Sequence, residues 1–357
     1  MIGVIGGTGD IGSEVVELLL RRTAQEVKVG SRNIYRIDTH LMDSKRITVQ
    51  HVDCYDSESL RRFMENCEIV INCVGPSHLI TPHFLEEAER MGVHCVDLGT
   101  IKNARYRTAV NTVSIHSAGM AQGLSGILQR IAVEGIEEVE HFEYSFGGIS
   151  SYTHSAASDF LDGINDGSNK PMSVYNKGEI VSTGILQLQH DHFYDRTVCF
   201  YPFFDEESDY IVKNSNIING SWCFAVEGTY FNQILKKARY EAAADKESTV
   251  VKICNASKLD AEIYGPAIKF LVSSRWKKNR SGQGRTLSLM TRRQNYLSAL
   301  VVMQVVDGIL KNKVVKGRYP LVAINDPVMI YEGVCKDENI VADINNPIEM
   351  EEEYGVI

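Results

Sequence analysis

The sequence predicts an α/β protein in which a doubly wound parallel sheet is followed by a second, mixed α+β domain. Three observations support this fold class. The chain has 357 residues, and single hydrophobic cores stop growing near roughly 250–300 residues. Strand and helix patterns alternate through its first third, as a parallel sheet with crossover helices requires. From about Glu137 polar and apolar residues alternate instead, which is typical of a strand with one wet face.

The sequence divides into three predicted segments. Residues 1–135 form the first domain, residues 136–292 the mixed α+β domain, and residues 293–357 a C-terminal helical segment that returns to the first domain. The return is predicted because the helix from Asn295 to about Leu310 is apolar nearly all round, and such a helix is buried.

Composition and charge exclude several classes of partner. The 44% hydrophobic and 23% charged content are those of an ordinary soluble globular protein. The net charge of −9 opposes a phosphate backbone, so we expect no nucleic-acid partner. No stretch reaches the roughly 18 consecutive apolar residues of a membrane span, so we expect a cytoplasmic protein without a membrane partner.

Cysteine and histidine spacing favours no metal site. The eight cysteines include no Cys-x-x-Cys pair and are expected to be reduced thiols. We interpret His190 and His192, which could meet a metal, as surface residues.

A glycine-rich turn follows the first predicted strand, residues 2–5. Gly7, Gly9 and Gly12 fit the spacing G-x-G-x-x-G, and an amphipathic helix pattern follows them. In this motif the first glycine permits a tight turn, the second lets the backbone approach a pyrophosphate, and the third lets helix and strand pack closely. A tight turn without a ligand is the alternative, but strand, glycines and helix together favour a dinucleotide. The predicted phosphate-binding residues are Gly7, Thr8, Gly9, Asp10, Ile11 and Gly12.

The end of the second predicted strand indicates which dinucleotide binds. An NAD site places an acidic residue about 20 residues past the glycines, where it bonds the ribose 2′-hydroxyl. No acid lies between Lys28 and Ile37, and Arg32 stands there with Ser31 beside it. Guanidinium matches phosphate geometry and serine adds a donor, so we predict NADP (NADPH), with NAD as the alternative.

The rest of the first domain predicts a Rossmann-type sheet. Further strands are expected at 47–52, 68–74, 93–99 and 112–116, with helices at about 57–65 and after Thr81, which caps a helix with Pro82 at its first position. Ligands bind beyond the carboxyl ends of parallel strands. This crevice adds Asp53, Val74, Gly75 and Pro76 to the predicted cofactor site and places Asp97 nearby.

Four stretches carry a further pattern. They are His51–Leu60, Val70–Pro76, Gly92–Leu98 and Ala118–Gly126. With the glycine-rich start, they resemble the saccharopine dehydrogenase-like family over about residues 1–135. The fifth-strand tyrosine of many relatives is Cys95 here, and the proline of the later turn is Gln122, which leaves the substrate open.

The resemblance implies an NADP(H)-dependent oxidoreductase. Relatives reduce imines formed between amino acids or amines and carbonyl compounds. The implied reaction is therefore hydride transfer at a C–N bond of an amino-acid-derived small molecule. The sheet of the second domain pairs two subunits in relatives, which implies a homodimer.

The second half gives a coarser pattern. We expect a strand at 139–146 that Gly147 and Gly148 end, a helix from His154 to Asp166, and a hairpin of 172–175 with 179–183. Further expectations are strands at 196–204 and 249–254, helices near 228–243 and 255–272, and a basic loop at 277–285.

Hydride transfer to an imine needs a group that supplies one proton, because the cofactor carries the rest of the chemistry. Histidine as a residue type exchanges protons near neutral pH. The catalytic candidates are those that fall in or near a loop expected at the crevice: His154, Tyr152, Asp97 and His78.

Two other functions are considered. Gly6, Gly9 and Gly12 also fit the G-x-x-G-x-x-G of short-chain-type reductases, but no tyrosine has a lysine four residues later, as the catalytic Tyr-x-x-x-Lys of that class requires. A non-catalytic NADP(H)-sensing regulator or scaffold is the other alternative, and the large second domain disfavours it.

Overall fold

The structure, a computed structural model, describes residues 1–101, 106–108, 110–165, 169–188, 193–194, 197–278 and 281–350. The chain forms two compact units. The first comprises Met1–Ile127 and Gln294–Lys336, and the second comprises Leu128–Arg293 and the segment from Asp337. His190 and His192, considered above as metal ligands, lie outside the described residues.

The helices and strands are numbered in chain order. The strands are β1 (Ile2–Ile5), β2 (Val27–Ser31), β3 (Ile47–His51), β4 (Ile69–Asn72), β5 (His94–Asp97), β6 (Val113–His116), β7 (Val139–Ile149), β8 (Lys170–Pro171), β9 (Ser173–Asn176), β10 (Glu179–Ser182), β11 (Cys199–Phe204), β12 (Ile217–Val226), β13 (Ala267–Lys278), β14 (Ser281–Thr291), β15 (Gly317–Pro320) and β16 (Val341–Met350). The α-helices are α1 (Asp10–Arg22), α2 (Thr39–Met42), α3 (Ser57–Met64), α4 (Ser77–Met91), α5 (Leu124–Val133), α6 (His154–Asn165), α7 (Glu206–Asn214), α8 (Thr229–Ala244), α9 (Lys246–Tyr264), α10 (Gln294–Leu310) and α11 (Pro327–Cys335).

The first unit is built on a seven-stranded sheet in the order β15-β6-β5-β4-β1-β2-β3. Neighbouring strands in it run parallel. The predicted doubly wound parallel sheet is therefore confirmed. Chain order reverses at β1, because β2 lies on one side of it and β4 on the other. Such a sheet binds ligands outside the carboxyl ends of its strands, at this switch point.

Helix α10 belongs to the first unit. Buried residues cover nearly its whole circumference between Tyr296 and Ile309. It packs against α1, as the apolar sequence predicts. The expected segment 293–357 is nevertheless divided after Lys336, because β16 pairs with β14 in the sheet of the second unit.

Helix α4 begins earlier than the sequence predicts. Thr81 was expected to cap it with Pro82 at the first helical position, but the helix begins at Ser77 and Pro82 lies inside it. Thr81 is fully buried. Burial of apolar side chains at helical spacing, such as Phe84 and Ala88, outweighs the start signal of the Thr-Pro pair. The helix ends as expected at Gly92, whose φ is +70°.

The second unit is built on a nine-stranded mixed sheet in the order β10-β9-β12-β7-β13-β14-β16, with β11 beside β12 and β8 beside β11. Strand β7 is parallel to β12 and antiparallel to β13. Phe146 of β7 contacts Phe224 and Phe270 on these neighbours, with ring centroids 5.9 and 4.9 Å apart. Phe224 also packs with Phe231 of α8, in a cluster that includes Ile253 of α9. The predicted mixed α+β domain is confirmed.

Gly147 and Gly148 do not end β7, contrary to the prediction. The strand continues to Ile149. Their φ angles are +146° and +118°, and a Cβ at either position would lie 2.0 Å or 2.3 Å from the carbonyl oxygen of Ala225 or Ala267 on the neighbouring strands. The two glycines therefore allow close strand pairing on both sides of β7.

The predicted strand at 249–254 is wrong, because these residues lie inside α9. The run of β-branched residues there suggested a strand. Asp245 caps the helix by accepting the N–H of Ser248 at 3.0 Å, and buried residues recur at helical intervals, as at Val250 and Ile253.

The helix predicted to reach residue 272 ends at Tyr264, and β13 follows. Residues 277–285, expected as a basic loop, lie largely in β13 and β14, while Asn279 and Arg280 lie outside the described residues. The predicted hairpin at 172–183 is confirmed as β9 and β10.

Candidate functional site

The glycine-rich turn joins β1 to α1. The N–H groups of Gly6 and Gly7 donate to the carbonyl oxygen of Gly30 on β2, at 2.8 and 3.2 Å. Gly6 has a φ of +79°, a left-handed conformation that favours glycine. Gly9 closes the turn by donating to the carbonyl oxygen of Gly6 at 2.9 Å. Since Gly9 is the N-cap of α1 and has no side chain, the first N–H groups of the helix face outward for an anion.

Two glycines of this turn serve different purposes. A Cβ on Gly12 would lie 2.1 Å from the carbonyl oxygen of Gly6, so α1 can pack on the turn only with glycine at that position. A Cβ on Gly9 would meet the same oxygen at 3.3 Å, which a small shift relieves. Gly9 is exposed. Gly12 is therefore required for packing, whereas Gly9 leaves the backbone accessible to a phosphate.

The loop after β2 is joined to the glycine turn by a pair of hydroxyl groups. Thr8 Oγ1 and Ser31 Oγ are 2.8 Å apart. Ser31 Oγ also accepts the N–H of Asn33 at 3.1 Å, which folds the chain around Arg32. Arg32 is exposed. The predicted 2′-phosphate residues thus lie beside the predicted pyrophosphate turn, and Arg32 is exposed to solvent.

Asp53 and Arg32 lie around one buried thiol at the same edge. Burial raises the pKa of Cys54 to about 12, the carboxylates of Asp53 and Asp97 raise it further, and Arg32 opposes them. Asp53 itself is half-buried and accepts the N–H of Tyr55 at 3.0 Å. The structure therefore brings residues at the carboxyl ends of β2, β3 and β5 to one edge of the sheet.

Asn72 and Asp97 are the last residues of β4 and β5 and are register partners in the sheet. Both are fully buried. Asn72 Nδ2 donates to Asp97 Oδ2 at 3.0 Å, and Asp97 Oδ1 accepts the N–H of Gly99 at 2.6 Å. Burial raises the pKa of Asp97 to about 7, although hydrogen bonds from Gly99, Asn72 and the Thr81 hydroxyl group lower it. Asn72 is not among the site residues predicted from the sequence. The feature that could have indicated it is a polar residue at the end of an otherwise apolar strand.

The four catalytic candidates lie in different surroundings. In the first unit, Asp97 is buried and His78, the second residue of α4, is exposed. In the second unit, His154 begins α6, is exposed, and has Nε2 2.6 Å from Oε1 of Glu247. Tyr152 packs in the aromatic cluster of the second unit, 5.2 Å between ring centroids from Phe231, and burial raises its pKa.

The sheet order and the glycine turn define the first unit as a dinucleotide-binding domain. Residues 2–121 match the model of the saccharopine dehydrogenase NADP-binding domain. The resemblance predicted from the sequence is thus confirmed, and the cofactor of this unit is NADP(H). No curated protein sequence matches the chain.

Solved structures extend the similarity of fold to the whole chain. Saccharopine dehydrogenase (L-Glu forming) from Saccharomyces cerevisiae matches with a TM-score of 0.66 at 11% identity, covering 97% of this chain and 99% of that chain. Triphenylmethane reductase from Citrobacter sp. complexed with NADP(H) matches at 25% identity over 27% of this chain and 36% of its own, with a TM-score of only 0.25. The yeast structure shows the shared fold, and the family match supports an NADP(H)-dependent oxidoreductase. None of the described helices is long and apolar enough to cross a membrane.

Gly9→Ala is expected to weaken NADPH binding by at least about tenfold without unfolding the first unit, because the added methyl group blocks the phosphate but clashes little within the protein. Gly12→Ala is the comparison variant and should lower the melting temperature, since its methyl group meets the Gly6 carbonyl. Fluorescence titration with NADPH and thermal melts measure both. Normal NADPH binding by Gly9→Ala would place the phosphate elsewhere.

Arg32→Ala is expected to weaken NADPH binding by roughly 1.5–3 kcal/mol, the value of a charge-assisted hydrogen bond, and to leave NADH binding unchanged. Arg62→Ala removes the same charge from exposed α3 and serves as the control. An equal loss of affinity for both cofactors in Arg32→Ala would contradict a 2′-phosphate contact.

Asp97 should make stability fall as pH rises. Because its pKa in the folded protein is about 7 and its ordinary value is 3.8, the folded state holds a proton that the unfolded chain has released between those values. This contribution is fully present below about pH 4 and is lost as the pH rises through about 7, with a slope of about 1.4 kcal/mol per pH unit. Asp97→Asn removes it. Urea unfolding across this range should show wild type losing stability relative to Asp97→Asn, and a pH-independent difference would contradict the raised pKa.

Proposed function

We propose that the protein transfers hydride between NADP(H) and the carbon of a C–N bond in an amino-acid-derived substrate. The observation that carries the proposal is the fold shared with the yeast saccharopine dehydrogenase across both units. A binding domain for the cofactor alone would not need the second unit, which holds a nine-stranded sheet of its own. The name of the yeast enzyme gives saccharopine as its substrate and L-Glu as a product.

The residues of the first unit fit the cofactor. The exposed backbone at Gly9 and the N-terminus of α1 suit the pyrophosphate, and Arg32 suits the 2′-phosphate. When bound, NADPH supplies a hydride to an electrophilic carbon. The protein must then orient the substrate and exchange one proton with its nitrogen.

We assign this proton exchange to the exposed histidines, His78 and His154. Both imidazoles reach solvent and can meet a substrate. Tyr152 is held by its aromatic neighbours, and we assign it a packing role. Asp97 has both carboxylate oxygens engaged within the first unit, which favours positioning over proton donation.

The proposed function is tested by NADPH oxidation in the presence of amino acids paired with keto acids or aldehydes. The proposal predicts turnover that requires both the amine and the carbonyl compound. Oxidation with the carbonyl compound alone would indicate a carbonyl reductase instead. Tight NADPH binding without turnover on any pair would favour the sensing regulator. The homodimer and the cytoplasmic location stay predictions.

Replacement of the proton donor should lower kcat by about 10²–10⁴-fold while NADPH affinity stays unchanged. His78→Gln and His154→Gln are compared, since each keeps a hydrogen-bonding side chain of similar size. Tyr152→Phe is the control and should keep turnover within a few-fold of wild type. If both histidine variants retain turnover within a few-fold of wild type, the assignment is wrong.

A further inference from the structure

The buried pair Asn72 and Asp97 does more than join two strands. Backbone pairing already links β4 to β5, and apolar residues occupy the preceding positions of both strands, such as Ile71 and Val96. A buried carboxylate costs several kcal/mol unless it is hydrogen-bonded. The buried carboxylate of Asp97 lies at the carboxyl end of β5, where ligands bind. Packing alone does not explain why it is there.

The amide of Asn72 holds the turn that follows β4. Its Nδ2 donates to the carbonyl oxygen of Val74 at 3.3 Å, and its Oδ1 accepts the N–H of Val74 at 3.1 Å. Val74 in turn lies against the glycine turn, since a Cβ on Gly6 would come within 2.6 Å of Val74 Cγ2. The orientation of one amide thus fixes the Val74–Pro76 turn against the start of the phosphate site.

The carboxylate of Asp97 fixes that amide. Because Oδ2 accepts from Asn72 Nδ2, the oxygen of the Asn72 side chain faces the N–H of Val74. The other oxygen accepts the N–H of Gly99, whose own carbonyl accepts the N–H of Ser117 at 2.8 Å. One hydrogen-bonded network therefore orders the residues after β4, β5 and β6.

The sheet order shows which half of the cofactor lies over this network. The pyrophosphate turn follows β1, and the 2′-phosphate residue Arg32 follows β2, so the adenosine half lies toward β2 and β3. The remaining half must run the other way, over the carboxyl ends of β4 and β5. That is where the Val74–Pro76 turn and Gly99 lie.

We propose that Asn72 and Asp97 are positioning residues for the nicotinamide half of NADP(H), acting through the Val74–Pro76 turn. The proposal rests on the cofactor site of the first unit and is independent of the substrate proposed above. It assigns the pair no contact with the adenosine half. A substitution in the pair should therefore weaken the binding of a ligand that carries the nicotinamide half. It should leave the binding of a ligand with the adenosine half alone nearly unchanged.

The experiment compares NADPH with adenosine 2′,5′-bisphosphate, which lacks the nicotinamide half. Asp97→Asn replaces one accepting oxygen with an NH₂ group. This donor then faces a second donor, either Asn72 Nδ2 or the N–H of Gly99. Asn72→Asp sets two buried carboxylates together. The double variant N72D/D97N exchanges the two groups and restores the donor–acceptor pair at the same net charge. It loses the long bond to the Val74 carbonyl and places a carboxylate oxygen beside that carbonyl, so recovery is expected to be incomplete.

Each single variant should lose NADPH affinity by about tenfold or more, as expected for a buried group left unpaired, and keep bisphosphate affinity within about twofold. The double variant should recover most of the NADPH affinity. Cys95→Ala, a buried change two residues before Asp97 on the same strand, controls for general destabilisation and should weaken neither ligand selectively.

Val74→Gly keeps the buried pair intact and removes the side chain of Val74 that lies against the glycine turn. It therefore tests the proposal if a single variant of the pair fails to fold. It should show the same selective loss of NADPH. Equal loss of both ligands in these variants, unchanged NADPH binding, or a double variant no better than the weaker single one would overturn the proposal. Because no substrate is used, these outcomes are distinguishable from a failure of the proposed reaction.

Discussion

The first unit depends on the close approach of α1 to the turn before it. Glycine at position 12 brings the helix onto the carbonyl group of Gly6, where a single Cβ would lie 2.1 Å from the oxygen. This contact aims the N-terminus of α1 at the carboxyl edge of the sheet. The Thr8–Ser31 link to the next loop and the packing of Val74 against Gly6 lie at the same turn.

The polar groups buried at the carboxyl edge cost stability, and the proposed positioning of the cofactor accounts for their presence. Asp97 is ionised only at the cost of desolvation, which is why its pKa lies near 7. Its hydrogen bonds oppose that cost and orient Asn72. An apolar pair at these two positions would stabilise the sheet more simply, but it would leave the turn after β4 without a fixed orientation.

The sequence predicted the fold and the cofactor of the first unit, because the signals for both are local. The glycine spacing and the missing acid beside Arg32 each depend on a few adjacent residues. Asn72 was missed because its role comes from a register partner 25 residues later, which no local pattern shows. In the second unit, Gly147 and Gly148 were interpreted as a break, since only the neighbouring strands reveal that a side chain could not fit there. Residues 249–251 favour a strand by propensity, and tertiary burial makes them helical.

The second unit is where the chain differs most from a simple nucleotide-binding domain. Its central strands carry an aromatic face that packs with α8 and α9, and its fold is shared with the yeast saccharopine dehydrogenase. The sequence offers no motif there that names a substrate. For that reason the reaction has to be tested by its chemistry.

Isotope transfer tests the central claim most directly. NADPH that carries deuterium at the reactive carbon of the nicotinamide is supplied with an amine and a carbonyl compound, and the products are examined by mass spectrometry and NMR. Hydride transfer at a C–N bond predicts a secondary amine with one deuterium on the carbon that was the carbonyl carbon, now bonded to nitrogen. Deuterium on an alcohol carbon, or none in any product while NADPH binds normally, would contradict it.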